Sequence, residues 1–169
     1  MSARRIRPLR LALLVLGGWL LGWSAPGRSE PLLVIVAAGQ ADAAPGRAEL
    51  ALIFKRKKLF WPGGRGRIQP VNLPARDPWR LRFSETVLGA RPEALDSYWN
   101  ELYFQGIRPP HVVPSAAAML RFVADTRNAI GYVDACQAGL DQAAVAVVGW
   151  IDARGRWHGG AAAPPCTPR

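Results

Sequence analysis

An α/β domain, with a mixed sheet flanked by helices, is predicted by three features of the sequence. The run "PLLVIVAA" is apolar, rich in β-branched residues and short, as a strand covered on both faces should be. Segments with apolar residues at i, i+3 and i+4 follow it, and two further apolar runs, "NAIGYVD" and "AAVAVVGWID", come late in the chain. The resulting order of strand, helix, strand, three helices, strand, strand is that of helices layered on a mixed sheet.

Residues 1–28 read as a signal peptide. Arg4, Arg5, Arg7 and Arg10 precede an unbroken apolar stretch from Leu11 to Trp23, and small or turn-forming residues come next. That stretch holds 13 residues, short of the roughly 20 that a bilayer-spanning helix needs. Cleavage between Ser24 and Ser29 is expected, giving a periplasmic protein with no stable membrane span once the leader is gone. Removal of the five leader arginines lowers the formal charge from +10 to +5, with 17 Lys and Arg against 12 Asp and Glu. An excess of that size is compatible with anionic partners without requiring them.

The chain of 169 residues suits one domain with a real core. We assign the domain to residues 31–152 and a flexible tail to 153–169. After the first strand, "AELALIFKRKK" places Leu50, Ile53 and Phe54 on one face of a short helix, which "WPGG" stops. Its last turn is expected at Lys55, Arg56, Lys57 and Lys58, where cations meet the negative end of the helix dipole. The same basic patch, extended by Arg65 and Arg67, is the candidate surface for acidic partners. Trp61 is expected to pack, because a lone aromatic is not the repeated platform that single-strand binders use.

"RIQPVNLP" is the next extended piece. Asp77 and Pro78 then supply an N-cap and a first helical position, opening a helix with Trp79, Phe83, Val87 and Leu88 inward and Gly89 at its end. A second helix runs from Pro92 to Gly106, with Leu95, Tyr98, Trp99 and Leu102 as its expected core face. "IRPPHVVP" reads as a proline-stiffened loop, and a fourth helix starts at Ser115 with Met119, Phe122 and Val123 inward. "NAIGYVD" is a buried strand; "AAVAVVGWID" is another, paired through "DARGRW" or lying at an edge.

Several chemistries find no support. Cys136, Cys166, His111 and His158 lack the paired spacing of a zinc site. No cofactor motif occurs, Ser84 and Ser115 have no histidine partner in a nucleophile motif, and the glycine-rich pieces lack a phosphate-loop lysine. The chain is therefore not expected to be an enzyme, and without recurring aromatic and basic interleaving it is not expected to bind nucleic acid. Cys136 and Cys166 admit two states in an oxidising compartment: a disulfide that ties down the tail, or two free thiols.

Four pieces together, "ELALIFKRKKLFWPGG", "IQPVNLP", "FSETVLG...YWNELYFQG" and "NAIGYVD", resemble short phosphate-transporter substrate-binding-like proteins, which are related to the type 2 periplasmic binding proteins. The resemblance extends from about Leu32 to Val133. It implies a single-lobe periplasmic-binding-protein-like domain, equivalent to the second lobe plus one crossing strand, "LLVIV". In the large receptors an arginine and a Gly-Ser-Gly-Thr stretch at a helix N-terminus hold the oxyanion. The matching stretch here, "LPARDPWRLRF", offers Arg76 and Arg80 as candidate anion ligands, with Asn72 just ahead, but Asp77 occupies the cap and Pro78 removes an amide.

Two functions are compatible with these residues. The first is an exported, non-catalytic phosphate-transporter substrate-binding-like protein that binds phosphate or another small anion weakly, or acts beside a transport or sensory system. The second is an envelope interaction module whose basic segment meets acidic lipid, polymer or an envelope protein partner. A lobe that normally faces another lobe would expose apolar surface, which homo-oligomerisation would cover.

Overall fold

A computed structural model describes residues 30–163, 165 and 166; the signal peptide expected at 1–28 lies outside them. Six strands, β1 (Leu32–Ala37), β2 (Gln69–Asn72), β3 (His111–Val112), β4 (Ala129–Asp134), β5 (Val145–Ile151) and β6 (Trp157–Gly159), form one sheet in the order β3-β2-β4-β1-β5-β6. β1 lies centrally, antiparallel to both β4 and β5, whereas β2 is parallel to β4 and β3. The sheet is therefore mixed, as expected. Leu32 to Val36 and Ala129 to Val133 are buried without a break, which is why their sequences are continuous apolar runs and not alternating ones.

Among the described residues, four α-helices accompany the sheet: α1 (Arg47–Phe54), α2 (Pro78–Phe83), α3 (Asp96–Phe104) and α4 (Ala116–Asp125). Phe54 of α1, Phe83 of α2 and Tyr132 of β4 make the aromatic centre of the core. Phe83 stacks on Tyr132 with ring centroids 4.1 Å apart, and Phe54 meets Phe83 at 4.6 Å. Leu50 and Ile53 are buried beside them. Gly131 lets α4 approach this strand, since a Cβ there would collide with the Met119 sulfur and the Val71 and Val123 side chains.

The end of α1 differs from the expected one. The helix stops at Phe54 with Lys55 as its cap, so Lys55 to Lys58 are not a last helical turn. Arg56 takes the left-handed conformation, φ 58°, and its N–H bonds to the Ile53 carbonyl at 3.0 Å while that of Lys57 reaches the Leu52 carbonyl at 2.8 Å. This pair of bonds is the Schellman motif, which normally recruits glycine at the position Arg56 fills. Lys58 turns back to pair with Glu49 of the same helix.

Further along, Asp77 caps α2 as expected, accepting from the amides of Trp79 at 2.8 Å and Arg80 at 3.3 Å. The helix continues past Phe83 as a π-helical turn over Ser84–Leu88 and ends at Gly89, φ 72°. The expected core face of α3 holds only in part: Leu95, just before it, is buried and Trp99 packs half-buried against the core, but no residue of α3 itself is fully buried. Tyr98 instead donates its hydroxyl to the Lys55 carbonyl at 2.6 Å, tying α3 to the end of α1. In α4 the buried residues are Met119, Leu120 and Val123, while Phe122 lies half-buried against His111. The segment expected as a plain loop contributes β3, a two-residue strand held by parallel pairing with β2.

β5 pairs with β1 on one side and β6 on the other. Gly149 is required there, because a Cβ would strike the Trp157 ring and the His158 carbonyl. The turn between the strands is organised by Asp152, which accepts from the Arg154 and Arg156 amides, both at 2.9 Å, and contacts His158 Nε2 at 3.1 Å. The Arg156 amide is the chief reason that its carboxyl is held well below the usual range. The stretch 153–169, expected as a flexible tail, thus contributes β6, and Cys166 is joined to Cys136 by a disulfide. Arg82 of α2 clamps the same end of the sheet, donating to the carbonyls of Glu30 at 2.6 Å, Ile151 at 3.3 Å and Asp152 at 2.5 Å.

Candidate anion site

β2 delivers Asn72 to the carboxyl end of the parallel strands, and the turn that follows delivers Arg80 in the first turns of α2. Both are buried, at 2% and 7% exposure, and both line a cavity of about 220 Å³ together with Glu93, Asp96, Trp99 and Pro110 among others. Arg76 is exposed and is not among the lining residues. The structure therefore brings two of the three candidate ligands together and leaves the third outside.

Asn72 is held from behind. Tyr132 donates its hydroxyl to Asn72 Oδ1 at 3.3 Å and accepts from the Leu73 amide, also at 3.3 Å. Burial pushes the Tyr132 phenol up to about 12, an effect that the neighbouring Arg80 guanidinium partly opposes. A phenol so placed stays neutral at physiological pH and can serve only as a hydrogen-bonding support. Arg80 differs from its surroundings, because its Nη1 is buried with no hydrogen-bond partner. Asp77 and Glu85, acids close to this arginine in sequence, form no ion pair with it. Instead Asp77 caps the helix and Glu85 pairs with Arg91 at 3.5 Å.

Arg80 Nη1 is thus a buried donor with no acceptor, which is unfavourable, so the arrangement is suited to receiving an anionic group. Two features weaken it. Asp77 already occupies the Trp79 and Arg80 amides, and Pro78 has none, so the helix N-terminus contributes little to an oxyanion. Glu93 and Asp96 also line the cavity, setting two carboxylates against one guanidinium. Neither acid is conspicuous in the sequence: in "PEALD" they read as ordinary acids at the start of a helix, where they suit the dipole.

No family model matches the chain, and no curated protein is significantly similar to it in sequence. Solved structures are informative. An ABC-type phosphate transport receptor from Vibrio cholerae matches with TM-score 0.51 and 19% identity, over 70% of this chain and 45% of that one. A protein assigned as a phosphate ABC transporter substrate-binding protein from Clostridium perfringens, determined with bound phosphate, matches with TM-score 0.53 and 17% identity, over 70% of this chain and 44% of that one. The fold is shared with phosphate-transport receptors. The chain spans less than half the length of each, and at these identities the likeness is one of fold.

The four residues of the basic segment differ in exposure and pairing. Lys57 is exposed, Lys55 and Arg56 are half-buried, and Lys58 is committed to Glu49. Trp61 is buried in the core, as expected of a packing residue. Among the described residues, no group of three or more His, Cys, Asp or Glu is placed to hold a metal ion, and no helix is long and apolar enough to cross a membrane.

Proposed function

We propose that this chain is an exported, non-catalytic phosphate-transporter substrate-binding-like protein, which binds phosphate or another small anion weakly, in an accessory role beside a transport or sensory system. The observation that carries the reading is the buried, unpartnered Nη1 of Arg80 in a cavity shared with Asn72, on a fold shared with phosphate-transport receptors. Weakness follows from the acid at the helix cap and from the two carboxylates in the cavity wall. The leader-like pattern at residues 1–28 supports export.

Calorimetric titration of inorganic phosphate into the purified protein tests this. Binding in the millimolar range is expected, and Arg80→Ala should weaken it about tenfold, the value of one charge-assisted hydrogen bond. Arg76→Ala should leave it nearly unchanged, and the double variant should match Arg80→Ala. Heats that do not respond to Arg80→Ala would sink the assignment.

A further inference from the structure

At the opposite end of the parallel strands from Arg80, a second cavity of about 230 Å³ is lined by Arg56, Leu59, Arg67, Gly106, Ile107 and Arg108. The register of β2 with β3, Val71 opposite His111, places Arg67 and Arg108 ahead of the two strands at their shared amino end. Asn72 and α2 lie past the carboxyl end. No carboxylate lines this cavity, in contrast to the first.

Each arginine is positioned by backbone structure. Arg56 sits in the left-handed position that ends α1, and its Nη1 reaches the Ile68 carbonyl at only 3.5 Å. Its Nε is buried and has no hydrogen-bond partner. Arg67 is fixed by a bridge to Phe60, flanked by the Trp61 amide on the Gly66 carbonyl at 3.0 Å and the Ile68 amide on the Leu59 carbonyl at 2.8 Å. Arg108 leaves the end of α3, where the Gly106 and Ile107 amides bond to the Tyr103 and Leu102 carbonyls, both at 3.0 Å. None of the three forms an ion pair among the described residues. Arg67 lies close enough to act on Arg56: burial first, then the Arg67 charge, holds the Arg56 guanidinium below its ordinary range.

Arginines commonly gather where helices end, and α1 and α3 both end here. That role accounts for only part of the charge. Two helix C-termini carry together about one negative charge, whereas three guanidiniums carry three positive ones, leaving an excess of about two. We propose that this cavity is a second oxyanion site, which takes a dianionic phosphate group on Arg56, Arg67 and Arg108. Guanidinium forks match such a group in shape and charge. Its source is either inorganic phosphate or the headgroup of an anionic phospholipid. The second source is favoured by Phe60 and Phe104, exposed at 59% and 89% and close in sequence to Leu59 and Gly106 of the wall.

The test does not depend on the Arg80 cavity, since it is carried out on the purified Arg80→Ala protein. Inorganic phosphate is titrated into it, and its sedimentation with phosphatidylcholine vesicles is compared with that on vesicles containing phosphatidic acid. Retained phosphate binding identifies the free ion, and phosphatidic-acid-dependent sedimentation identifies the headgroup. In either arm, adding Arg67→Gln and Arg108→Gln should reduce binding at least tenfold. Arg121→Gln with Arg127→Gln, two exposed arginines elsewhere, should reduce it less than twofold. Arg67 and Arg108 are exposed, so their replacement should leave the melting temperature unchanged. Absence of binding in both arms, or an equal fall in both double variants, overturns the proposal.

Discussion

Asp77 accepts the backbone N–H of Arg80 at 3.3 Å, so the residue that brings a cation to the first cavity has its own amide occupied by an acid. Backbone and side chain of one residue thus act in opposite directions on an incoming anion.

That opposition predicts an unusual pairing of effects for Asp77→Ala. Loss of the N-cap should cost about 1 kcal/mol, lowering the melting temperature by roughly 3–5 °C. The same change frees two amides and removes a negative charge, so phosphate affinity should rise severalfold. Differential scanning calorimetry and phosphate titration on one preparation measure both. A lower melting temperature with unchanged affinity would show that these amides do not face the bound ion.

Tyr132 predicts a loss of stability in alkali. Its phenol titrates near 12 in the folded chain, chiefly through burial, against about 10 unfolded. The folded state therefore holds the proton more tightly. The resulting stabilisation is complete below about pH 10 and is lost as pH rises toward 12, on the order of 2–3 kcal/mol in all. Urea midpoints across that range should fall accordingly. Tyr132→Phe should flatten the fall while costing about 1–2 kcal/mol at neutral pH, because Asn72 Oδ1 and the Leu73 amide lose their partner.

Arg82 predicts the effect of removing one fork. It donates to three carbonyls from two chain segments, Glu30 ahead of β1 and Ile151 and Asp152 at the end of β5. Arg82→Ala should destabilise by about 2–3 kcal/mol, discounted for partial exposure from the sum of three charged bonds. Arg82→Lys should recover less than half, since one ammonium cannot reproduce the fork. Equilibrium urea unfolding of the two variants measures both.

What was legible in the sequence was local. The Asp77 and Pro78 start of α2 could be read because capping acts over three residues, and β1 and β4 because burial on both faces leaves an unbroken apolar run. The end of α1 is not legible because the left-handed residue there is Arg56 and not the glycine that usually marks a Schellman end. β3 is invisible in "IRPPHVVP", since two residues carry no periodicity and only β2 makes them a strand. On α4, Leu120 joins Met119 and Val123 in the buried face and Phe122 packs half-buried at its margin, because the i+3 and i+4 spacing fits both. Arg108, Glu93 and Asp96 reach the cavities only through the path of α3, and no spacing within the chain announces that convergence.

The link between Cys136 and Cys166 closes a covalent ring that contains all of β5 and β6. A protease that cuts anywhere between the two sulfurs would therefore leave two fragments still joined. Such a nicked molecule would migrate as one band on a non-reducing gel and as two after thiol treatment.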